Sequence, residues 1–344
     1  MFVPSIPNVK EISGIVFEKI DFSQLINDQT PIILRGVFKK KPLVLEGKKS
    51  PQAAMEHLSQ YYSGLDIVSF NTLHENNGRF FYNHEMTGFN FQSRKISLSS
   101  FFKQILDAIT SENPEMYYAG STDLPTYFPK MIEEDGLSLH GDVFKTYKPT
   151  TSIWMGNRTT AAIHYDMSNN VAACMVGRRR FTLFPPDQIH NLYPGPLSPT
   201  PAGQTVSMVD LAYPDFDRYP NFKLALAKAQ VAELEPGDML VYPAMWWHQV
   251  DALEDFNILI NYWWNEAEPF MDTPMNSILY AILALRDRPI AEKNAWKNLF
   301  NYYVFEDASR PRAHLPEHVH GTLGRIDHQA ARRLRQLLLQ KLNR

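Results

Sequence analysis

Cysteine is almost absent from this chain of 344 residues; Cys174 stands alone, so no disulfide can form within the chain. A lone cysteine fits a reducing compartment. Long apolar runs are also missing, and no stretch approaches the ~18 residues that a membrane helix needs. The opening Met1-Phe2-Val3-Pro4 has neither the basic stretch nor the apolar run of a secretion signal. A soluble, cytoplasmic protein is the expectation. Neither charge sign dominates: 34 Lys and Arg against 37 Asp and Glu leave a net charge of −3. The chain therefore lacks the global basic footprint of a general nucleic-acid binder. Internal repeats and low-complexity segments are absent as well. What remains, with 44% hydrophobic and 21% charged residues, can bury the core of one large domain or two modest ones.

The first 150 residues read as mixed α/β. Pro31 to Gly36 is a β-branched run closed by glycine, hence a strand. Ser50-Pro51 opens a helix reaching about Tyr62, with serine as cap and proline in the first turn. Asp66 to Asn71 and Arg79 to Tyr82 read as strands joined by an Asn76-Asn77-Gly78 turn, a hairpin signal. Behind Ser97, the residues Leu98, Phe101, Phe102, Ile105, Leu106 and Ile109 fall at helical spacing. Met116 to Ala119 is a short strand candidate.

From about residue 150 short strands alternate with tight turns. Thr151 to Met155, His164 to Asp166, Val171 to Val176 and Arg179 to Phe184 are four candidates. Val231 to Leu234, Met239 to Tyr242, Trp246 to Val250 and Ile258 to Trp264 are four more. Eight such strands suggest a double-sheet jelly roll. The long connection from Pro185 to Ala229 is one insert within it, and inserts of that length usually serve function. After Glu268 the pattern is helical. Thr273-Pro274 starts one helix, Pro289 to about Phe305 forms a second, and Asp327 caps a third with Ala330, Leu334, Leu337 and Leu338 on its buried side. The expected division is 1–150, 151–268 and 269–344.

One stretch of this barrel carries chemistry. In His164-Tyr165-Asp166 the first and third side chains share a strand face, while Tyr165 points away. His248, in an aromatic strand downstream, is the candidate third ligand. Two imidazoles and one carboxylate on one side of a metal leave the other side open, as in the facial triad of non-haem Fe(II) oxygenases. Such an iron needs an electron source. A 2-oxoacid such as 2-oxoglutarate would chelate it through its oxo and C1 carboxylate groups, and its far carboxylate would need a buried cation. Within Arg179-Arg180-Phe181-Thr182-Leu183, period-two alternation places Arg179 on the apolar face with Phe181 and Leu183. Its planar fork can hold a carboxylate through two hydrogen bonds.

These motifs resemble one family. His164-Tyr165-Asp166, Asn170, Phe184-Pro185-Pro186-Asp187-Gln188 and Leu192-Tyr193-Pro194 match the JmjC-type, cupin-like 2-oxoglutarate oxygenases. So do Tyr213 to Phe222, Pro236-Gly237-Asp238 and Trp246-Trp247-His248. Within that family the likeness is to the asparaginyl hydroxylases that include factor inhibiting HIF, and to their bacterial cupin-like relatives. It is strong from Met155 to Trp264 and looser toward both ends. The resemblance implies a mainly β fold: a double-stranded β-helix of cupin/JmjC type, with an N-terminal α/β elaboration and C-terminal helices. It implies His164, Asp166 and His248 as iron ligands, and Asn170 and Asn261 as polar groups beside iron and cosubstrate. Tyr117, with Tyr118 as the alternative, is implied to help hold the far carboxylate. The asparaginyl hydroxylase has lysine where this chain has Arg179. A threonine expected three residues before the first ligand is Ala161 here, so Thr160 or Thr159 would supply the hydroxyl.

Two further groups weigh less. His314, His318 and His320 lie in a proline-broken loop without a cysteine or carboxylate partner at metal-binding spacing. Trp246 and Trp247 read as wall packing. The expectation is an Fe(II)- and 2-oxoglutarate-dependent dioxygenase that hydroxylates a protein side chain. The alternatives are hydroxylation of a small molecule or an RNA base, or a metal-binding cupin without catalysis. A homodimer through the C-terminal helices, with no membrane and no nucleic-acid partner, completes the reading.

Overall fold

The computed structural model describes residues 6–343. Among them, six strands come first: β1 (Lys10–Ser13), β2 (Ile32–Arg35), β3 (Ile67–Thr72), β4 (Arg79–Phe80), β5 (Phe91–Ile96) and β6 (Met116–Asp123). Then follow β7 (Thr150–Gly156), β8 (Thr160–Tyr165), β9 (Asn169–Val176), β10 (Arg179–Phe184), β11 (Gln230–Leu234), β12 (Met239–Tyr242), β13 (Trp247–Ala252) and β14 (Asn257–Trp264). These last eight are the expected eight, and they form two facing sheets. One sheet has nine strands in the order β1-β2-β12-β9-β14-β7-β6-β3-β5, the other five in the order β11-β10-β13-β8-β4. The barrel is a jelly roll, mainly β with flanking helices.

Alternation within the strands decides what each sheet covers. In β9, Val171, Ala173 and Met175 point to a cluster shared with helix residues Leu43, Val44, Leu58, Phe101 and Ile105. Ala172 and Cys174, one residue out of phase, point between the sheets onto Phe181, Leu183, Leu240 and Tyr242. A strand covered on both faces reads as a continuous apolar run, as this one does. The helices begin where their caps stand. Ser50 Oγ accepts from Ala53 N at 3.1 Å at the head of Pro51–Ser59, and Ser97 Oγ accepts from Ser100 N at 3.2 Å at the head of Leu98–Ile109.

The N-terminal strands extend the barrel rather than forming a body of their own. β2 pairs with β12 and β6 with β7, so residues 6–265 make one compact unit. The expected hairpin is not formed. β3 pairs with β5 and β6, whereas β4 lies in the other sheet, parallel to β8. The turn itself exists, with Asn77 at φ 49° and Gly78 at φ 73°. Its backbone is docked elsewhere: the Gly78 carbonyl accepts from Thr160 N at 2.8 Å, and a Cβ on Gly78 would lie 2.2 Å from the Arg158 oxygen. The turn hands the chain from one sheet to the other.

The insert between β10 and β11 packs on its own apolar cluster, where Leu192, Val209, Phe222 and Leu226 meet Phe184 and Trp247. Val206 bridges His164, and Ser207 N donates to the Ile163 carbonyl at 2.7 Å. The insert is thus pinned beside the strand that carries the candidate ligands.

Residues 266–343 cluster as a second unit. It contains helices Pro274–Leu285, Ile290–Phe300 and His328–Leu342. Asp327 caps the last, accepting from Ala330 N at 2.8 Å. The stripe expected to be buried on that helix is not. Leu337 and Leu338 are each 42% exposed, and among the described residues of the helix only Ala331 is buried.

Candidate active site

β8 and β13 are antiparallel neighbours with His164 directly opposite His248. The two rings lie 4.4 Å apart between centroids. Asp166 follows the end of β8, and the ligand atoms of all three residues fall within 4.8 Å of one another. Tyr165 turns to the other face, as strand geometry requires, and packs its ring 4.7 Å from Trp247. Trp246 and Trp247 are both wall residues, on the inter-sheet and insert clusters respectively.

The ring orientations suit a metal. His164 Nδ1 lies 2.8 Å from the Ala162 carbonyl and His248 Nδ1 lies 3.0 Å from the Trp246 carbonyl. A carbonyl only accepts, so each Nδ1 carries the proton and each Nε2 keeps a lone pair. Burial pulls the His248 pKa down to about 4; neighbouring His164 acts in the same direction, and Asp166 opposes them. The neutral imidazole is the form that binds metal. Asp166 is held too. Its Oδ2 accepts from Asn170 Nδ2 at 2.9 Å and from Trp263 Nε1 at 3.2 Å. Asn261 Nδ2 in turn donates to Asn170 Oδ1 at 2.7 Å. Asn170 and Asn261 therefore form a relay that orients the carboxylate, and Trp263, which the sequence reading did not single out, shares the task. Its signal was available: Trp263 stands two residues from Asn261 on one strand.

The triad opens into a cavity of about 440 Å³ whose walls include Arg179, Tyr118, Trp154 and Asn261. Arg179 is only 2% exposed. Its flanking arginines are paired on the surface, Arg178 with Glu254 at 2.7 Å and Arg180 with Glu233 at 2.7 Å. Arg179 has no carboxylate partner, and its Nε and Nη2 make no hydrogen bond. Burial lowers its pKa and Tyr118 opposes the shift; an arginine keeps its charge in either case. A buried cation without a carboxylate is costly, and an anion in this cavity would offset that cost. An iron ion on the triad and a dicarboxylate reaching Arg179 both fit these residues.

Two expected residues are placed differently. Tyr117 points to the opposite face of β6, into a separate polar cavity of about 390 Å³ with Glu115 and Arg94. Tyr118 is the tyrosine in the cavity beside Arg179, and burial pushes its hydroxyl up to about 12 against the pull of that cation. Thr160 borders the cavity, but its hydroxyl donates to Asp251 Oδ1 at 2.9 Å and is already engaged. Among the described residues, the His164, Asp166 and His248 group is the one that gathers as a metal site, and the C-terminal histidines do not.

A cupin-like domain matches residues 18–269, well over half of the chain and the whole barrel. The chain belongs to the cupin-like domain family. This cupin-like protein is 28% identical over 195 residues to tRNA wybutosine-synthesizing protein 5 of Danio rerio, covering 51% of this chain and 54% of the relative. It is 25% identical over 274 residues to tRNA wybutosine-synthesizing protein 4 of Gibberella zeae, covering 78% and 24%. It is 30% identical over 138 residues to lysine-specific demethylase JMJ31 of Arabidopsis thaliana, covering 39% and 24%. The chain thus spans about half, or less, of the length of these relatives. Members of the JmjC-type cupins usually bind Fe(II), and this chain has the His-Asp-His group for it. No helix among the described residues is long and apolar enough to cross a membrane.

Proposed function

We propose that this cupin-like protein is an Fe(II)- and 2-oxoglutarate-dependent dioxygenase that hydroxylates its substrate. One observation carries the reading: Arg179, a buried cation with no carboxylate partner, lines the same cavity as a three-residue metal group. A metal-binding cupin without catalysis has no use for such a cation. When bound, iron and 2-oxoglutarate supply the electrons that split O₂, one oxygen entering the substrate and the other leaving in succinate beside CO₂. The chain's own residues do the positioning. His164, Asp166 and His248 hold the metal on one side, and Asn170 with Trp263 keeps Asp166 turned toward it. Arg179 and Tyr118 hold the far carboxylate. The aromatic walls, among them Phe70, Phe80, Trp154 and Trp263, keep water from the open side.

For the substrate, a protein side chain is the first reading, from the likeness to asparaginyl hydroxylases. The second is a modified RNA base. It is favoured by two relatives that are tRNA wybutosine-synthesizing proteins, and by an aromatic wall on which a flat ring can stack. Substrate trapping with the iron replaced by Zn(II) separates them, since the captured species is either protein or RNA. For the cofactors, anaerobic Fe(II) with 2-oxoglutarate should give a visible charge-transfer band. His164→Ala and Asp166→Ala should abolish it. Arg179→Ala should weaken 2-oxoglutarate by roughly tenfold or more, from about 1.5–3 kcal/mol for a buried charge-assisted pair. A full band and unchanged iron affinity in either triad variant would show that the metal group is misassigned.

A further inference from the structure

Resting on the cosubstrate reading above, we infer that the Trp154 indole N–H is a donor to the far carboxylate of the bound 2-oxoacid and makes the cavity selective for 2-oxoacids that carry one. Trp154 lines the same cavity as Arg179 and the triad. Its Nε1 is buried and has no hydrogen-bond partner. A buried tryptophan N–H normally finds an acceptor, so an unpaired one in the wall of the cavity that Arg179 also lines, with two unpaired nitrogens of its own, points to a shared anion. A carboxylate offers about four acceptor positions, and a bidentate Arg179 with the Tyr118 hydroxyl fills about three of them.

The ring is held for this task. It lies 5.8 Å from the Tyr118 ring and meets Trp263 edge-on at 5.6 Å. On the neighbouring strand, a Cβ at Gly120 would come 2.9 Å from the Trp154 ring. The β6–β7 ladder is irregular between Ala119 and Thr122. A side chain is thus missing, and the backbone shifted, where the indole sits. Ala161 cannot donate, and the Thr160 hydroxyl is spent on Asp251. Trp154 adds a donor to that of Thr159, which also lines the cavity.

The test is calorimetric titration of the anaerobic Fe(II)-loaded protein with two probes. One is 2-oxoglutarate. The other is 2-oxobutyrate, which keeps the chelating head and lacks the far carboxylate. Trp154→Phe keeps the ring and removes the N–H; it should weaken 2-oxoglutarate about five- to tenfold and leave 2-oxobutyrate within about twofold. Combined with Arg179→Ala, the Trp154→Phe loss should be smaller than the product of the single losses, because both residues serve one group. If Trp154→Phe weakens both probes equally, or neither, Trp154 is wall packing and the inference falls, while a selective loss in Arg179→Ala keeps the cosubstrate reading. If Arg179→Ala shows no selective loss, both fall together.

Discussion

At the scale of single residues, orientation is set by partners that lie far away in the chain. Arg179 could be placed inward from its alternation with Phe181 and Leu183 alone, because apolar neighbours mark the buried face. The choice between Tyr117 and Tyr118 could not be made that way. Both faces of β6 carry aromatic and polar residues, and only the sheet it joins tells which face looks at the His-Asp-His group. Trp263 leads to a prediction. It is one of two donors to Asp166 Oδ2, and groups that orient a metal ligand typically contribute 10–100-fold to affinity. Trp263→Phe should therefore weaken Fe(II) by roughly tenfold in an anaerobic titration, and an unchanged affinity would leave Asn170 as the sole support. Cys174 gives a second. Burial pushes its thiol up to about 12. With the folded pKa above the unfolded value, the thiol stays protonated through neutral pH, and its contribution to stability is lost only as pH rises from the ordinary thiol range toward 12. Iodoacetamide at pH 8 should leave the native protein unmodified and label it fully once unfolded by guanidinium.

At the scale of elements, caps and turns carry local information and nothing about pairing. Ser50, Ser97 and Asp327 each stand where a helix begins, because the need to satisfy free N–H groups is local. Ser97→Ala should destabilise the protein by about 1 kcal/mol in urea unfolding. The Asn77-Gly78 turn was equally legible, but its use was not. A left-handed turn between two β-rich stretches ordinarily closes a hairpin; here the flanking strands find better partners, β3 with β6 and β4 with β8. Gly78→Ala tests this docking. It places a side chain at φ 73° against the Arg158 backbone, and should cost about 2 kcal/mol or more. A neutral effect would mean that the crossing between sheets can relax. Strands β1 and β5 carried no readable signal: KEIS and FQSRKI are mostly polar, and they become strands by pairing at the ends of the larger sheet.

At the scale of the molecule, the helical unit 266–343 is the part that is least self-sufficient. Ile278, Leu279, Leu283, Ile290, Val304, Phe305 and Leu339 are all at least 49% exposed. Among its described residues only Pro311 and Ala331 are buried. Large apolar residues exposed in this number are unusual on a monomer, and a two-fold contact is the commonest way to cover them. The proposal is a homodimer through these helices. Light scattering should give twice the chain mass at micromolar concentration, and Leu338→Glu, at an exposed position of the last helix, should shift it toward the single-chain mass. A monomeric mass for the unaltered chain would refute the dimer.

The sequence by itself determined the barrel strands, the helix caps, the three candidate ligands and the inward arginine. Each of these rests on a period of two, a period of 3.6 or a short-range hydrogen bond, and such patterns survive in a linear string. Tertiary structure alone decided which tyrosine faces the His-Asp-His group, that β3 and β4 part company, that Trp154 keeps an unpaired N–H, and that the C-terminal leucines find no cover within their own helical unit. Those outcomes depend on which distant surfaces meet, and burial is a property of the meeting rather than of either strand of sequence.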